Sequence, residues 1–377
     1  MNLSYWETNT YFSNIDILII GSGIVGLSSA LELKARNNAL KILVIERGFL
    51  PSGASSKNAG FACFGSISEI LDDIENDSEK NVLELVDRRW RGLKKLRSIL
   101  GDEKIDYKNW GGFEIFTDES IYEKCNKKIN HLNSVMSDII GSKEIYKDVD
   151  KKIEKFNFKN ISHLIENKFE GQINTGKMIF NLTKKVQESG VIVLNSLTVK
   201  NIEEETNQVK VTLNENIKLK VKKVLVATNG FAKQLLPELN VNPARAQALI
   251  TKPIKNLKIK GTFHYDQGYY YFRNIENRIL LGGGRNTDFK GEETTEMITT
   301  ENIQRKLEEL LESTIIPDTK YIVDQRWSGI MGVGNQKTTI VKAISKNIFC
   351  AVRMGGMGVA IGSLVGQDAA EMIAKDL

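Results

Sequence analysis

IDILIIGSGIVGLSSALELKARNNALKILVIERG, Ile15 to Gly48, decides the fold. Its first apolar run, Ile17 to Ile20, has the length and composition of a buried parallel strand. Gly21, Gly23 and Gly26 follow in the spacing G-x-G-x-x-G, and Leu27 to Lys34 read as a helix. A second apolar run, Ile42 to Ile45, ends in Glu46, 20 residues after Gly26. Gly21 permits the tight turn, Gly23 lets backbone approach a pyrophosphate, and Gly26 lets helix and strand pack closely. The N–H groups and positive end of the helix then face the phosphates. Glu46 is placed to accept hydrogen bonds from ribose hydroxyls. Strand, turn, helix and acid-tipped second strand together point to a dinucleotide-binding βαβ unit.

The rest of the composition allows a large core. The chain has 377 residues, 41% of them hydrophobic and 26% charged, which suits an ordinary globular protein of two domains or one domain with a large insertion. The net charge of +5 sets 52 Lys plus Arg against 47 Asp plus Glu. The basic clusters, Lys94-Lys95, Lys127-Lys128 and Lys218 to Lys223, are scattered among acids and read as solvated faces, not a nucleic-acid surface. Cys63, Cys125 and Cys350 form no C-x-x-C pair and have no metal-ligand spacing, so no metal is expected and the sparse, odd count fits a reducing compartment. The opening MNLSYWETNTYFSN lacks the order of a signal peptide, and no stretch has the length of a membrane span. The expected location is cytoplasmic.

Beyond Gly48, Leu50 to Ser66 is rich in small residues, as backbone lying against a ligand requires. Ile67 to Leu100 has helical spacing, with Leu83, Leu85, Val86, Trp90, Leu93 and Leu96 as its apolar stripe and Gly101 as its stop. Trp110 to Thr117 reads as a strand and Ile121 to Ile140 as a helix. A helix over Thr175 to Ser189, a strand at Val191 to Leu194, a hairpin of Leu197 to Glu203 with Val209 to Leu213, and a strand at Val221 to Ala227 return the chain to the first sheet. The nucleotide-binding domain is therefore expected to be discontinuous. Between Ala246 and Gly283 the strands are aromatic and β-branched, predicting a second, mainly antiparallel sheet. Thr300 to Leu311 reads as a helix and Asn347 to Arg353 as a last buried strand. Gly355, Gly356 and Gly358 then open a C-terminal helix, a second glycine-rich junction whose N-terminus suits an electron-rich part of the same ligand.

Five pieces stand in a meaningful order: GSGIVGLSSA with ILVIERG; GASSKNAGF at Gly53 to Phe61; GQINTGKM before a helix and hairpin; VLVATNGFA; and GGMGVAIGSLVG. In that order the chain, from Ile15 to its C-terminal segment, resembles the FAD-dependent oxidoreductases of the D-amino acid oxidase type, which include glycine oxidase, sarcosine oxidase and γ-glutamylputrescine oxidase. The resemblance implies an α/β fold of two domains. A Rossmann-like FAD-binding domain would comprise residues 1–80, 165–240 and 335–377, and a mainly antiparallel-sheet substrate domain residues 81–164 and 241–334. It also implies a site map. Gly21, Ser22, Gly23, Ile24 and Gly26 would hold the pyrophosphate, and Glu46 and Arg47 the adenosine end. Ser55, Ser56, Lys57, Asn58, Ala59, Gly60 and Phe61 would follow the ribityl chain and flavin edge. Val199 would close the adenine pocket through its backbone, and Thr228 and Asn229 would lie near the phosphates. Gly355, Gly356, Met357, Gly358 and Val359 would face the pyrimidine end of the flavin, where a helix N-terminus favours the reduced, anionic form.

On the substrate side, GYYYFR at Gly268 to Arg273 resembles the strand bearing the family's substrate-facing tyrosine, best matched by Tyr269. Alternation puts Tyr269, Tyr271 and Arg273 on one face and Tyr270 and Phe272 on the other. With Trp327 these three are the candidate catalytic residues. RWSGIMG, Arg326 to Gly332, departs from the family: Met331 stands where amino acid oxidases carry a carboxylate-clamping arginine, and Gly356 stands nearest a second one. Loss of bidentate guanidinium contacts favours an amine or N-substituted amino compound over a small α-amino acid, with aromatic rings receiving an alkylammonium. No cysteine lies in Ser328 to Met331, so non-covalent FAD is implied, and Thr175-Gly176 replaces the usual proline. The implied activity is oxidation of a C–N bond by hydride transfer to flavin N5, giving an imine, with O2 or another electron acceptor. His131, His163 and His264 read as structural or surface residues, with His264, close to the aromatic sheet, the one to test. Four other readings compete: a D-amino acid or glycine oxidase-type enzyme, a nicotinamide dehydrogenase, a flavin enzyme acting on a modified tRNA base, and a non-catalytic flavin-binding subunit. The scattered basic charge disfavours the tRNA reading, and the second glycine junction disfavours the nicotinamide one.

Overall fold

Two eight-stranded sheets carry the computed structural model, which describes residues 3–214 and 217–375. At the centre of the first, Ile15–Ile20 lies between Ile42–Ile45 and Ile217–Val226, parallel to both. Ile192–Leu194 and Ile348–Val352 extend the parallel set on either side. These strands are apolar on both faces because both faces are covered, as the sequence run Ile17 to Ile20 requires. The hairpin Val199–Glu204 and Val209–Leu213 joins antiparallel to Ile217–Val226, and Ile340–Ala343 closes the other edge. The five parallel strands are drawn from residues between 15 and 352, so this sheet is discontinuous in sequence.

Three helices cover one side through close approaches. Ile24–Arg36 follows the first strand, and Gly358–Ala374 lies against it, with Gly366 so near that an added Cβ would stand 2.6 Å from Ser28 Cβ. Glu79–Leu100 packs on Gly358–Ala374, where Ser363 Oγ donates to the carbonyl of Gly92 at 2.6 Å. Its stripe is as read except that Leu83 is only partly buried, and Gly101 (φ +82°) ends it. The reading of one helical stretch from Ile67 is divided, because Ser78 caps a new helix by accepting from Asn81 N. Residues 81–100 thus lie against the first sheet's helices, whereas the sequence boundary grouped 81–164 with the other unit.

The second sheet runs Val323–Val333, Asn242–Thr251, Arg278–Gly283, Tyr270–Ile275, Thr262–Tyr265, Gly112–Phe116, His163–Asn167 and Tyr146–Asp148. All its pairs are antiparallel except Thr262–Tyr265 with Gly112–Phe116. Period-two alternation sends Phe113, Phe263, Phe272 and Leu281 into a core closed by Ile303 and Leu307 of Glu301–Leu310. The rings of Phe263 and Phe272 stack at 4.7 Å. The intervening residues, Tyr271 and His264, which pair directly across the hairpin, face the other way. Among the described residues no helix is long and apolar enough to cross a membrane.

Candidate active site

A cavity of about 530 Å³ takes its walls from both sheets. At its first end Gly21 holds φ +108°, a conformation that L side chains rarely adopt. Gly23 precedes Ile24–Arg36 with no side-chain cap, and Ile24 N donates to Ser55 Oγ at 3.0 Å. A Cβ on Gly23 would meet that same Oγ at 2.8 Å, and one on Gly26 would run into the carbonyl of Gly21. Gly21, Gly23 and Ile24 line the cavity, while Gly26 and Ser22 stand behind it as supports. Glu46 is buried and accepts from Ser22 N, Ser22 Oγ and Gly48 N at 3.3, 3.0 and 3.0 Å. Arg47 lies over the Phe231 ring at 3.7 Å; burial pushes its pKa down, against the opposing pull of Glu46. Val199 walls the same end.

The middle is built by GASSKNAGF. Asn58 Nδ2 donates to the carbonyls of Ala54 and Ser55, and its Oδ1 accepts from Gly60 N at 2.8 Å and from Thr175 Oγ1 at 3.1 Å. Ser56 instead ties the loop to Pro51 and does not line the cavity, whereas Ser55, Lys57, Asn58, Ala59, Gly60 and Phe61 do. Asn229, at φ +47°, accepts from Arg353 N and Met354 N and so fixes the last junction to the end of strand Ile217–Val226. Gly355 (φ +55°) and Gly356 (φ +85°) then turn into Gly358–Ala374, whose N-terminus has no side-chain cap. Gly355, Gly356, Met357, Gly358 and Val359 all line the cavity.

These residues fit FAD. Two helix N-termini whose own first residues supply no side-chain cap open on one cavity, a side chain at Gly23 would fill the cradle, and the Thr228 hydroxyl is buried in the same wall without a partner. An elongated, doubly phosphorylated ligand answers all three.

On the substrate side Tyr269 and Tyr271 line the cavity, and burial pushes the Tyr271 phenol up to about 12. Phe61 sets its edge to the rings of Tyr271 and His264 at 5.7 and 5.2 Å. Arg273 and Trp327 do not line it. Arg273 is buried behind Gly60, donating to the carbonyl of Ile173 at 3.1 Å, and Trp327 Nε1 donates to the carbonyl of Lys57 at 2.9 Å. Both therefore support the loop that carries Lys57 to Phe61. Met331 lines the cavity beside Gly356.

Other residues of the wall were not assigned to the site from sequence. His264 is buried here, with Nε2 3.3 Å from Glu170 Oε2; His131 and His163 are the outer ones, paired with Glu79 and with Asp150 and Glu119. Burial disfavours the charged imidazole of His264, yet the carboxylates of Glu170, Glu114 and Glu69 outweigh it and raise its pKa above the ordinary value. Alternation of TFHY against YYFR was the available signal, since it puts His264 on the Tyr271 face. Glu69, Lys337 and Arg285 also line the cavity, with Glu69 3.7 Å from Lys337 and 4.0 Å from Arg89.

Three comparisons bear on this arrangement. The model of the family described as FAD dependent oxidoreductase, DAO, matches residues 16–372. Gamma-glutamylputrescine oxidoreductase of Escherichia coli (strain K12) is 22% identical, over 96% of this chain and 84% of that protein. The crystal structure of L-proline dehydrogenase from P. horikoshii superposes with TM-score 0.76 at 21% identity, covering 96% of this chain and 94% of that one. The crystal structure of glycine oxidase from Geobacillus kaustophilus gives TM-score 0.77 at 17% identity, covering 97% and 95%.

Proposed function

Given that this chain belongs to the DAO family of FAD-dependent oxidoreductases, with FAD as its cofactor, we propose that it oxidises a C–N bond of a small amine or N-substituted amino compound. The observation that carries this reading is the continuity of one cavity from the G-x-G-x-x-G turn, past Phe61, to the aromatic wall of Tyr269 and Tyr271. Bound FAD supplies the hydride acceptor at N5, and the product leaves as an imine that water hydrolyses. The chain's own part is to bind, orient and exclude water. The Tyr269 and Tyr271 rings pack against the carbon stem of the neutral amine, while Phe61 and Met331 keep the reacting region apolar. No base is required if the amine arrives neutral, which agrees with a wall in which burial keeps the Tyr271 phenol protonated. The similar proteins named for γ-glutamylputrescine, proline and glycine all take amino compounds, which supports the class without choosing within it. The test is anaerobic addition of a panel of amines and amino acids to the FAD-loaded protein. Bleaching of the flavin band by at least one compound is expected. A fully flavinated protein that no panel member reduces overturns the reading and leaves a non-catalytic flavin carrier.

A further inference from the structure

Strand register brings Cys63 and Glu170 together. The short strands Phe61–Ala62 and Gly171–Gln172 pair antiparallel with Ala62 opposite Gly171, so the residue after one strand meets the residue before the other. His264, in strand Thr262–Tyr265, enters from the second sheet, and Met357 from the turn before Gly358–Ala374. The Cys63 thiol, a Glu170 carboxylate oxygen and a His264 ring nitrogen all lie within 4.8 Å of one another. The three residues are buried, at 5%, 1% and 5% exposure. Met357 Sδ stands 3.8 Å from Cys63 Sγ. Donors of the kinds that bind d-block cations thus converge from separate segments, which is why no ligand spacing shows in the sequence.

Hydrogen bonds within the chain leave these donors incompletely used. Glu170 Oε1 accepts from Phe64 N at 3.2 Å and Gly65 N at 3.3 Å, which fixes the carboxylate and leaves Oε2 to His264. That contact, 3.3 Å, is longer than the roughly 2.7–2.9 Å of a tight charge-assisted bond. Among the described residues the Cys63 thiol meets no nitrogen or oxygen acceptor, only the Met357 sulphur. The other cluster of this kind, Asp148, Asp150 and His163, is more exposed, and its groups are spent on Tyr122, Leu164 N and one another.

We infer that Cys63, Glu170 and His264, with the Met357 sulphur beside them, bind one thiophilic divalent cation of the zinc type in the wall of the flavin cavity. Three atoms no farther apart than 4.8 Å share a point within about 2.8 Å of each, and an inward shift of about half an ångström reaches zinc's usual bonds of roughly 2.0–2.3 Å. Cys63 binds as its thiolate and gives its proton to solvent. With Glu170 it balances the two positive charges, and His264 binds as neutral imidazole. The other charges near the thiol, Glu69 and Arg89, face each other at 4.0 Å and offset. The amides on Glu170 Oε1 are the outer contacts that hold a ligand in place. A thiolate donor selects against Mg2+ and Ca2+. Cys63, His264 and Met357 line the cavity, so the ion has a way in. Once bound, it ties the segment 61–65 to strand Thr262–Tyr265.

The experiment uses the FAD-loaded protein, stripped with chelator and desalted, as wild type, Cys63→Ala, Glu170→Gln and Cys125→Ala. Glu170→Gln keeps an oxygen for Phe64 N and Gly65 N while removing the anionic ligand. Cys125, a buried thiol in the helix Glu119–Val135, is the control. Zinc chloride is titrated by calorimetry, bound zinc is counted after gel filtration, and its neighbours are read by X-ray absorption at the zinc edge. Wild type and Cys125→Ala are expected to hold one zinc per chain with a sulphur neighbour at about 2.3 Å, and zinc should raise their melting temperatures. Cys63→Ala and Glu170→Gln should each bind more weakly by at least the roughly 10- to 100-fold that loss of an outer contact costs. Zinc should leave the melting temperature of Cys63→Ala unchanged, and magnesium chloride should give no binding heat with any of the four. Wild type that retains no zinc, zinc held by nitrogen and oxygen alone, or Cys63→Ala that binds as tightly as wild type overturns the assignment. Should Cys63→Ala fail to fold, the zinc-edge spectrum of wild type and the affinity of Glu170→Gln decide. Flavin reduction by amino compounds is a separate measurement, so this site and the oxidation reading stand or fall independently.

Discussion

At Gly23 the first carbon of any side chain would point at Ser55 Oγ, 2.8 Å away, and into the turn where Ile24 N meets that hydroxyl. Ser55 is a flexible, half-buried neighbour, so Gly23→Val should leave a folded chain that cannot admit the pyrophosphate. The expected result is normal far-ultraviolet dichroism with flavin content near zero, and normal flavination would exclude the role. Tyr269→Phe tests the substrate wall: flavin content should hold while turnover falls, whereas unchanged kinetics would make Tyr269 a packing residue. The glycine spacing and the tyrosines were legible because turn chemistry and alternation are local. The partner of His264 was not, because a lone histidine acquires meaning only from what faces it. Glu170 is 94 residues from His264. Trp327 and Arg273 show the converse: suitable chemistry on a suitable strand, turned by neighbouring backbone carbonyls into supports for the Lys57–Phe61 loop.

Elements were read best where a hydrophobic period was unbroken. Strand Ile15–Ile20, helix Ile24–Arg36 and helix Gly358–Ala374 each extend a residue run already visible in sequence. The division at Ser78 was hidden because the apolar period continues across it, and only the serine cap marks the second start. That second helix, Glu79–Leu100, meets Gly358–Ala374 at Gly92, where an added Cβ would strike the carbonyl of Ala360 and lie 3.0 Å from Ile361 Cα. Backbone does not yield as a side chain does. Gly92→Val is therefore expected to destabilise the protein by about 1–3 kcal/mol through overpacking, read as a lower denaturant midpoint. It should also loosen FAD, because the displaced helix begins at the Gly355-Gly356 turn of the cavity. A midpoint equal to wild type would mean that the two helices part without cost.

Over the whole molecule, the buried His264–Glu170 pair joins the second sheet to the segment that also binds Phe64 N and Gly65 N through Glu170. Its charge links stability to pH. The folded pKa of His264 lies above its unfolded value of about 6.5, so the contribution is fully present below that value and is lost as pH rises through the folded pKa. His264→Gln should flatten this alkaline decline in unfolding free energy, and parallel profiles would show that the pair is neutral in the fold. Saturating FAD should raise the melting temperature of both proteins, since it binds only the folded cavity.

The order in which the first sheet is assembled has a cost during synthesis. Ile348–Val352, which pairs with Val224 to Val226, and the helix that covers it leave the ribosome long after the strand they complete. Until then a nascent chain carries Ile217–Val226 with one apolar edge unpaired and half of its nucleotide cradle missing. Such an edge is a template for intermolecular pairing. Chains stalled before residue 348 are therefore sticky, cofactor-less products that depend on chaperones, and the vitamin-derived ligand is captured only after Ile348–Val352 has joined the sheet.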